Sequence, residues 1–160
     1  MNLIVAVDEN WGIGKNNGLL FSLKKDMAFF RQTTTGKVVV VGANTFKSFP
    51  HGALPNRTNV VLDGSGEVHD GAICVKSLQE LQSVLADFSD EQVFVIGGAS
   101  VYRLMLPYCS VAYVTKVKAT ADADTFFPNL DADPEWTLAE RGEDVQDNGY
   151  TINFCVYKRI

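Results

Sequence analysis

The sequence contains few cysteines and no long hydrophobic run. Its three cysteines, Cys74, Cys109 and Cys155, include no CxxC pair and have no histidine at the spacing of zinc ligands, so we expect no metal site. Cys74 and Cys155 lie in strand-like segments, and we interpret both as buried small apolar residues. No stretch approaches the roughly 20 apolar residues of a membrane span, and the N-terminus lacks the basic start of a signal peptide. We therefore expect a soluble protein of the cytoplasm.

Clusters of basic residues are also missing. The chain has 14 Lys and Arg residues against 19 Asp and Glu residues, which gives a formal net charge of -5. Nucleic acids and anionic membranes bind basic surfaces, so neither is an expected partner. A length of 160 residues with 46% apolar and 21% charged residues is typical of one globular domain, which we place at residues 1–160.

Short apolar runs alternate with helical patterns through most of the chain. Strand-like runs lie at residues 3–7, 37–42, 60–62, 73–75, 93–96, 110–117, 136–143 and 150–158. Helices are predicted after Ser22, after Gly42, at residues 77–85 and after Gly98, and Asn148-Gly149 predicts a hairpin turn. The pattern predicts an α/β fold in a single domain. Its open mixed sheet has about eight strands, a parallel centre, an antiparallel C-terminal edge and about four flanking helices.

The helix predicted after Ser22 carries an acidic residue on its apolar face. Ser22 is typical of an N-cap, and the apolar face consists of Leu23, Met27, Phe29 and Phe30. Asp26 lies on the same face, where a carboxylate is desolvated and needs a partner or a chemical role. A structural role remains open, because Asp26 could complement the helix dipole or pair with Lys25 or Arg31.

Three predicted strands end in glycine, at Gly42, at Gly64 and at the pair Gly97-Gly98. Ligands of open α/β sheets bind at the carboxyl ends of the strands, and backbone N–H groups near such glycines can hold anions. Three such ends together favour a nucleotide with more than one phosphate, although a single glycine can simply turn the chain. Neither GxGxxG after the first strand nor GxxxxGK[ST] is present.

The segment between the first strand and the Asp26 helix is a long loop at residues 8–21. It contains three glycines and three asparagines, which permit unusual backbone angles. It also contains the apolar residues Trp11, Ile13, Leu19, Leu20 and Phe21, too many for a loop that faces only water. This composition favours a lid over a ligand.

Several motifs together resemble those of dihydrofolate reductases, in order and at similar spacing over nearly the whole chain. They are Val5-Ala6-Val7-Asp8 with Gly12-Ile13-Gly14 and Asn17, Leu23-x-x-Asp26-Met27-x-x-Phe30, Gly42-x-x-Thr45-Phe46, Leu54-Pro55-Asn56-Arg57-Thr58-Asn59, Ile96-Gly97-Gly98-Ala99-x-Val101-Tyr102, Tyr113-x-Thr115 and Asp124-x-Phe126-Phe127-Pro128. The resemblance implies reduction of 7,8-dihydrofolate to 5,6,7,8-tetrahydrofolate by hydride transfer from a reduced nicotinamide, a step of one-carbon metabolism. It also implies a monomer.

The resemblance assigns roles to particular residues. Asp26, with Thr115 as its hydrogen-bond partner, would be the catalytic pair, and Arg57 would bind the glutamate carboxylate of the substrate. The implied substrate-binding residues are Val5, Ala6, Asp26, Met27, Phe30, Phe49, Leu54, Arg57, Ile96 and Thr115. The implied cofactor-binding residues are Ala6, Ile13, Gly14, Asn17, Leu19, Gly42, Ala43, Asn44, Thr45, Leu62, Asp63, Gly64, Lys76, Ile96, Gly97, Gly98, Ala99, Ser100, Val101 and Tyr102. Leu20 and Phe21 stand where the family usually has Pro and Trp.

Three departures from the family pattern concern the choice between NADPH and NADH. Ala43 and Ser100 stand where basic residues are common, and Asp63 stands where Ser or Thr is common. An acid at a strand end can accept a hydrogen bond from a free ribose 2'-OH. At a distance of about 4–6 Å, its negative charge would lower the affinity for a 2'-phosphate by about one to three decades. NADPH is the cofactor that the resemblance implies, with Lys47, Lys76 or Asn44 as replacement contacts, and NADH use is the alternative.

Two other functions remain open at this level. A reductase acting on the pyrimidine intermediate of riboflavin synthesis would share the glycine-ended strands, but would not need Asp26, Thr115 and Arg57 together. A nucleotide-binding module without enzymatic activity would have no use for an acid on the apolar helix face. We interpret His51 and His69 as surface residues.

Overall fold

One large mixed sheet forms the centre of the molecule in the computed structural model, which describes residues 1–160. The strands are β1 (Asn2–Val7), β2 (Gly12–Lys15), β3 (Gly18–Leu19), β4 (Val38–Gly42), β5 (Thr58–Leu62), β6 (Ala72–Val75), β7 (Val93–Gly97), β8 (Val111–Val117), β9 (Thr125–Phe126), β10 (Trp136–Arg141), β11 (Val145–Asp147) and β12 (Tyr150–Arg159). The helices are α1 (Lys24–Thr34), α2 (Ala43–Lys47), α3 (Leu78–Leu85) and α4 (Ala99–Met105), with 3₁₀ turns at Asp90–Gln92 and Leu106–Tyr108. None of these helices has the length and apolar character needed to cross a lipid bilayer.

The strand order in the large sheet is β10-β12-β8-β1-β7-β4-β5-β6, with β11 beside β12. Strands β8, β1, β7, β4, β5 and β6 pair in parallel, whereas β12 runs antiparallel to β8, β10 and β11. The predicted α/β sheet with a parallel centre, an antiparallel C-terminal edge and four helices is therefore confirmed. A second sheet has the order β3-β2-β9.

The core lies along the parallel strands. Residues Val38 to Val41 of β4 are all buried, as expected of an apolar run covered on both faces of a sheet. Trp11 also belongs to the core, since it is 6% exposed and its ring lies 6.2 Å from that of Phe127 and 6.0 Å from that of Tyr157. This aromatic cluster fixes Trp11 at the base of the loop at residues 8–21, and the lid predicted for that loop stays a prediction.

Two local features differ from the sequence predictions. Helix α1 starts at Lys24, and its N-cap is Leu23, whose side chain accepts no hydrogen bond, so the prediction of Ser22 as N-cap is wrong. The polar segment before Asn148 contains β11, which pairs with β12. The predicted turn at Asn148 and Gly149 is confirmed, with φ values of 51° and 82° that suit a tight hairpin.

The register of the parallel strands brings their carboxyl ends together. Gly42 at the end of β4 lies opposite Leu62 at the end of β5, and Val41 lies opposite Gly97 at the end of β7. Helices α2 and α4 begin immediately after β4 and β7. One edge of the sheet therefore carries all three glycine-containing loops, and this edge is where a ligand is expected.

Candidate active site

Asp26 projects from α1 towards the centre of the sheet. Its Oδ1 accepts a hydrogen bond of 2.7 Å from the hydroxyl of Thr115, which is 2% exposed on β8. Thr115 lies opposite Ala6 of β1 in the parallel pairing, so Val5 and Ala6 are on the strand beside it. The fold therefore brings together a carboxylate from a helix, a hydroxyl from β8 and the end of β1. Asp26 and Thr115 are 89 residues apart in the sequence.

The carboxylate of Asp26 retains a free oxygen. Its hydrogen bond from Thr115 uses Oδ1, and no protein donor reaches Oδ2. Asp8 provides a contrast, because its two oxygens accept from the backbone N–H groups of Asn10, Gly12 and Ala121. Asp8 thus shapes a turn, whereas Asp26 can accept a hydrogen bond from a ligand.

Burial raises the pKa of Asp26 above its ordinary value, since desolvation disfavours the charged form. The hydrogen bond from Thr115 partly opposes this effect on the pKa, and the negative charge of Asp147 adds to it. Asp26 therefore binds a proton at a higher pH than an exposed aspartate, which suits a group that works next to a proton transfer.

Partly exposed apolar side chains accompany Asp26. Met27 is 56% exposed on α1, and Phe30, Phe49, Leu54 and Ile96 are each half-buried. Phe49 and Ile96 pack against the small cluster of Val41, Phe46 and Val61 at the ends of β4 and β5. Because these residues keep accessible surface next to the sheet edge, they can contact a flat aromatic ligand.

Arg57 is fixed between α1 and the loop before β5. Its Nε donates to the carbonyl of Pro55 at 2.9 Å, its Nη1 donates to the hydroxyl of Thr34 at 3.1 Å, and the guanidinium lies 5.9 Å from the ring centre of Phe30. No carboxylate of the protein pairs with it. The remaining N–H groups of the guanidinium are therefore available to a carboxylate of a ligand.

Asn59, to which the resemblance assigns no role, holds this loop in place. It is 3% exposed, its amide donates to the carbonyl of Leu54 at 2.9 Å, and its Oδ1 accepts from the N–H of Leu54 at 2.9 Å. A buried polar side chain needs such hydrogen-bond partners. The presence of an asparagine in an otherwise apolar strand is the feature of the sequence that indicates this structural role.

The backbone at the glycine-containing edge is closely packed. A Cβ on Gly98 would lie 2.8 Å from Oγ1 of Thr45, and one on Gly42 would lie 3.0 Å from Cγ2 of Val101. The peptide between Gly97 and Gly98 is cis. These glycines keep side chains out of the space between the first turns of α2 and α4, so the residues present are compatible with a nucleotide that lies against the backbone.

The remaining predicted cofactor contacts surround the same edge. Gly42, Ala43, Asn44 and Thr45 form the junction of β4 and α2. Leu62 ends β5, Asp63 and Gly64 follow it, and Lys76 follows β6. Ile96, Gly97, Gly98, Ala99, Ser100, Val101 and Tyr102 form the junction of β7 and α4. The buried hydroxyl of Tyr102 donates to the carbonyl of Ile4 at 2.7 Å, which ties α4 to β1.

The loop after β1 forms a hairpin of β2 and β3. Asn16 and Asn17 at its tip have φ values of 51° and 61°, and the amide of Asn17 donates to the carbonyl of Asn44 at 3.2 Å. Leu19 is 81% exposed, while Ile13 packs against the core. The hairpin tip thus touches the start of α2, next to the predicted cofactor site.

Asp63 is held by two neighbours on its own loop. Its Oδ2 lies 2.8 Å from Nε2 of His69, and its Oδ1 accepts from the backbone N–H of Ser65 at 2.9 Å and the Ser65 hydroxyl at 2.7 Å. The hydrogen bond to His69 and those to Ser65 lower the pKa of Asp63 to about 2. The carboxylate is therefore ionised at neutral pH and has one acceptor position left, on Oδ2.

The prediction that His69 lies on the surface is wrong, because it is 7% exposed and its ring packs edge-on against Phe46. His51 is exposed, as predicted. Donor atoms of Asp63, Glu67 and His69 lie within 4.8 Å of one another, but the ammonium of Lys47 is already 3.0 Å from Glu67. Nothing in the local sequence around His69 signals its burial.

Comparisons with known proteins agree with this geometry. The family model described as dihydrofolate reductase matches residues 1–159. Dihydrofolate reductase of Haemophilus influenzae is 36% identical over 160 residues, covering 99% of this chain and 98% of the relative. The enzyme of Bacillus subtilis is 33% identical over 162 residues, covering 99% of this chain and 94% of the relative.

A solved structure of similar shape is dihydrofolate reductase from Enterococcus faecalis complexed with NADP(H) and RAB-propyl. It superimposes with a TM-score of 0.86 at 31% sequence identity, covering 99% of this chain and 95% of that one. Both the whole-chain family match and the fold thus lead to one conclusion. The chain belongs to the dihydrofolate reductase family.

Proposed function

We propose which groups of this chain carry out the reaction of its family and which cofactors it accepts. The reaction is the reduction of 7,8-dihydrofolate to 5,6,7,8-tetrahydrofolate by hydride transfer from a reduced nicotinamide. The observation that carries the proposal is the arrangement of Asp26. It is a half-buried carboxylate with one oxygen bound by Thr115 and the other free at the edge of the sheet.

In this proposal Asp26 binds and orients the pterin. Its free Oδ2 accepts hydrogen bonds from the amino and ring N–H groups of the substrate, while Thr115 fixes the rotamer of the carboxylate. Because burial raises the pKa of Asp26, the free site binds a proton at a higher pH than an exposed aspartate does, and this proton can accompany the substrate when N5 is protonated during reduction. The nicotinamide supplies the hydride when it is bound beside the pterin. The half-buried apolar residues around Asp26 exclude water from both rings.

Arg57 is the proposed partner of the substrate's glutamate tail. Its guanidinium is oriented by Pro55 and Thr34 and has no acidic partner in the protein. A fixed planar fork of N–H groups matches a carboxylate, which a flexible surface arginine would bind less selectively. Asn59 positions the loop that carries Arg57.

We further propose that the chain accepts NADH as well as NADPH. The Enterococcus faecalis relative was solved with NADP(H), and Lys76 is exposed here without a carboxylate partner, so a 2'-phosphate retains one cation. Lys47, in contrast, is paired with Glu67 at 3.0 Å. The ionised Asp63 at the end of β5 favours a free 2'-OH and opposes a 2'-phosphate.

A direct test mixes the protein with dihydrofolate and either NADPH or NADH and follows the loss of reduced-nicotinamide absorbance. Turnover is expected with both cofactors, and Asp26→Asn is expected to lower kcat by about 100-fold or more at neutral pH. Turnover by Asp26→Asn at the wild-type rate would refute the role of Asp26. If the protein reduces the pyrimidine intermediate of riboflavin synthesis and not dihydrofolate, the assignment of dihydrofolate as the substrate is refuted.

We also propose that residues 1–160 act as one monomeric domain. All residues of the proposed site come from one chain, and its catalytic acid, arginine and glycine-rich edge need no second copy. Light scattering at working concentration, with turnover proportional to protein concentration, tests this proposal.

A further inference from the structure

The N-terminus of α1 has no capping group from its own segment. The N-cap residue Leu23 has no polar side chain, and the carbonyl of Ser22 accepts a hydrogen bond of 2.9 Å from the amide of Asn148. The first backbone N–H groups of any helix lack partners within the helix. The start of α1, which carries Asp26, therefore depends on a partner from elsewhere in the chain.

Asp147 supplies this partner from β11. Its Oδ2 accepts from the backbone N–H of Lys25 at 2.8 Å and from that of Asp26 at 3.3 Å. The ammonium of Lys25 also donates to the carbonyl of Gln146 at 2.7 Å. Asp147 is 5% exposed and lies opposite Tyr150 in the β11–β12 hairpin, so its carboxylate has a fixed position. The hairpin thus fixes the first turn of α1.

Asp147 also brings a second negative charge to this turn: its Oδ2 lies 3.3 Å from the backbone nitrogen of Asp26, and its charge contributes to the raised pKa of Asp26. Thr115 reaches Asp26 from β8 as a neutral donor, and Tyr102 on α4 is neutral because burial raises its pKa. The ammonium of Lys25 on α1 is turned away to the hairpin. Within this surrounding, repulsion between two carboxylates favours the protonated form of Asp26.

We propose that Asp147 is a positioning residue for the reaction: its carboxylate caps the helix turn that carries Asp26 and places a negative charge at that turn. The proposal rests on the role of Asp26 in the proposed function. It assigns two separable effects to one side chain, one through hydrogen bonds and one through charge. Variants that keep one effect and remove the other can therefore distinguish them.

Asp147→Asn is the variant that separates them. The amide oxygen can still accept from the first turn of α1, but the charge is gone. Because reduction requires a proton at N5, we expect kcat/KM of the wild type to fall as Asp26 loses its proton, and above that pH kcat/KM of Asp147→Asn should be lower by about two- to tenfold. On the acid plateau the two proteins should agree within about twofold, because Asp26 is protonated in both.

Three further variants complete the design. Asp147→Ala removes the cap as well as the charge, so it should lower kcat/KM at every pH. Asp147→Ser also removes the charge, and its hydroxyl is one bond too short to replace Oδ2, so it should behave like Asp147→Ala. Glu143→Gln is the matched control: it removes an exposed negative charge from the same connection, and its profile should follow the wild type.

A carboxyl 13C titration of Asp26 in the ligand-free protein reports the charge effect without any turnover. Its midpoint should move to lower pH in Asp147→Asn and Asp147→Ser but not in Glu143→Gln. Unshifted titrations and superimposed rate profiles for these Asp147 variants would overturn the inference. A shifted titration together with full activity of Asp26→Asn would overturn the proposed function of Asp26 instead.

Discussion

Replacing Asp63 with Asn is expected to move the cofactor preference towards NADPH. Asp63→Asn removes the charge while it keeps the shape of the side chain. Its amide oxygen can still accept from the N–H and hydroxyl of Ser65, which are 2.9 and 2.7 Å from Oδ1 in the wild type. His69 can accept from the new amide in its other tautomer. The loop after β5 should therefore stay in place.

The size of the effect follows from the charge and position of Asp63. The carboxylate carries a full negative charge at neutral pH, because hydrogen bonds from His69 and Ser65 hold its pKa at about 2. Repulsion between this charge and a 2'-phosphate at about 4–6 Å in a partly wet site corresponds to about one to three decades of affinity. Loss of a hydrogen bond to the 2'-OH should weaken NADH binding by up to about tenfold.

The assay compares kcat/KM for NADPH and NADH at saturating dihydrofolate. We expect the NADPH-to-NADH ratio to rise by about ten- to a thousandfold in Asp63→Asn, mainly through KM. The difference between the wild-type and Asp63→Asn ratios should narrow as ionic strength rises, since salt screens the repulsion that only the wild type contains. Asp70→Asn, which removes an exposed charge from the same loop, should leave the ratio unchanged.

Two results would refute the reasoning about Asp63. One is a ratio in Asp63→Asn that stays within about threefold of the wild type, a change smaller than one neutral hydrogen bond can produce. The other is a wild-type ratio of kcat/KM for NADPH to kcat/KM for NADH above about 100-fold. Repulsion between Asp63 and the 2'-phosphate is expected to keep this ratio lower.

Three further predictions concern single side chains. Asp26→Asn should stabilise the fold by on the order of 1 kcal/mol at neutral pH. Because the pKa of Asp26 is raised, the stability of the wild type falls as the pH rises through that pKa. In urea unfolding, the stability gained by Asp26→Asn should therefore be larger at about pH 8 than at about pH 4. An equal gain at both pH values would contradict the direction of the pKa shift. Arg57→Lys should raise KM for dihydrofolate by about ten- to a hundredfold with little change in kcat, and an equal rise for dihydropteroate, which has no glutamate, would exclude the assigned contact. His69→Phe should raise KM for NADH by about three- to tenfold at constant kcat because Asp63 loses a donor, whereas His69→Gln should restore it; steady-state kinetics of both variants test this.

The sequence by itself determined the fold class and the position of the acid. The run of valines at residues 38–41 favours a strand buried on both faces, which is typical of a parallel sheet covered by helices. The three- and four-residue spacing of the apolar residues around Asp26 placed its carboxylate on the inner face of a helix. Both inferences depend on the local periodicity of the backbone, and periodicity is readable in the order of the residues.

Only the tertiary structure decided which distant groups act on these local elements. Asp147 caps α1 across 122 residues of chain, and the spacing of neither segment encodes that contact. His69 is buried because Phe46 and Asp63 meet it where β4 and β5 end, although its own segment is polar. Charge balance and side-chain hydrogen bonds depend on three-dimensional distance, so the protonation of Asp26 and the state of Asp63 could not be derived before the strands were placed.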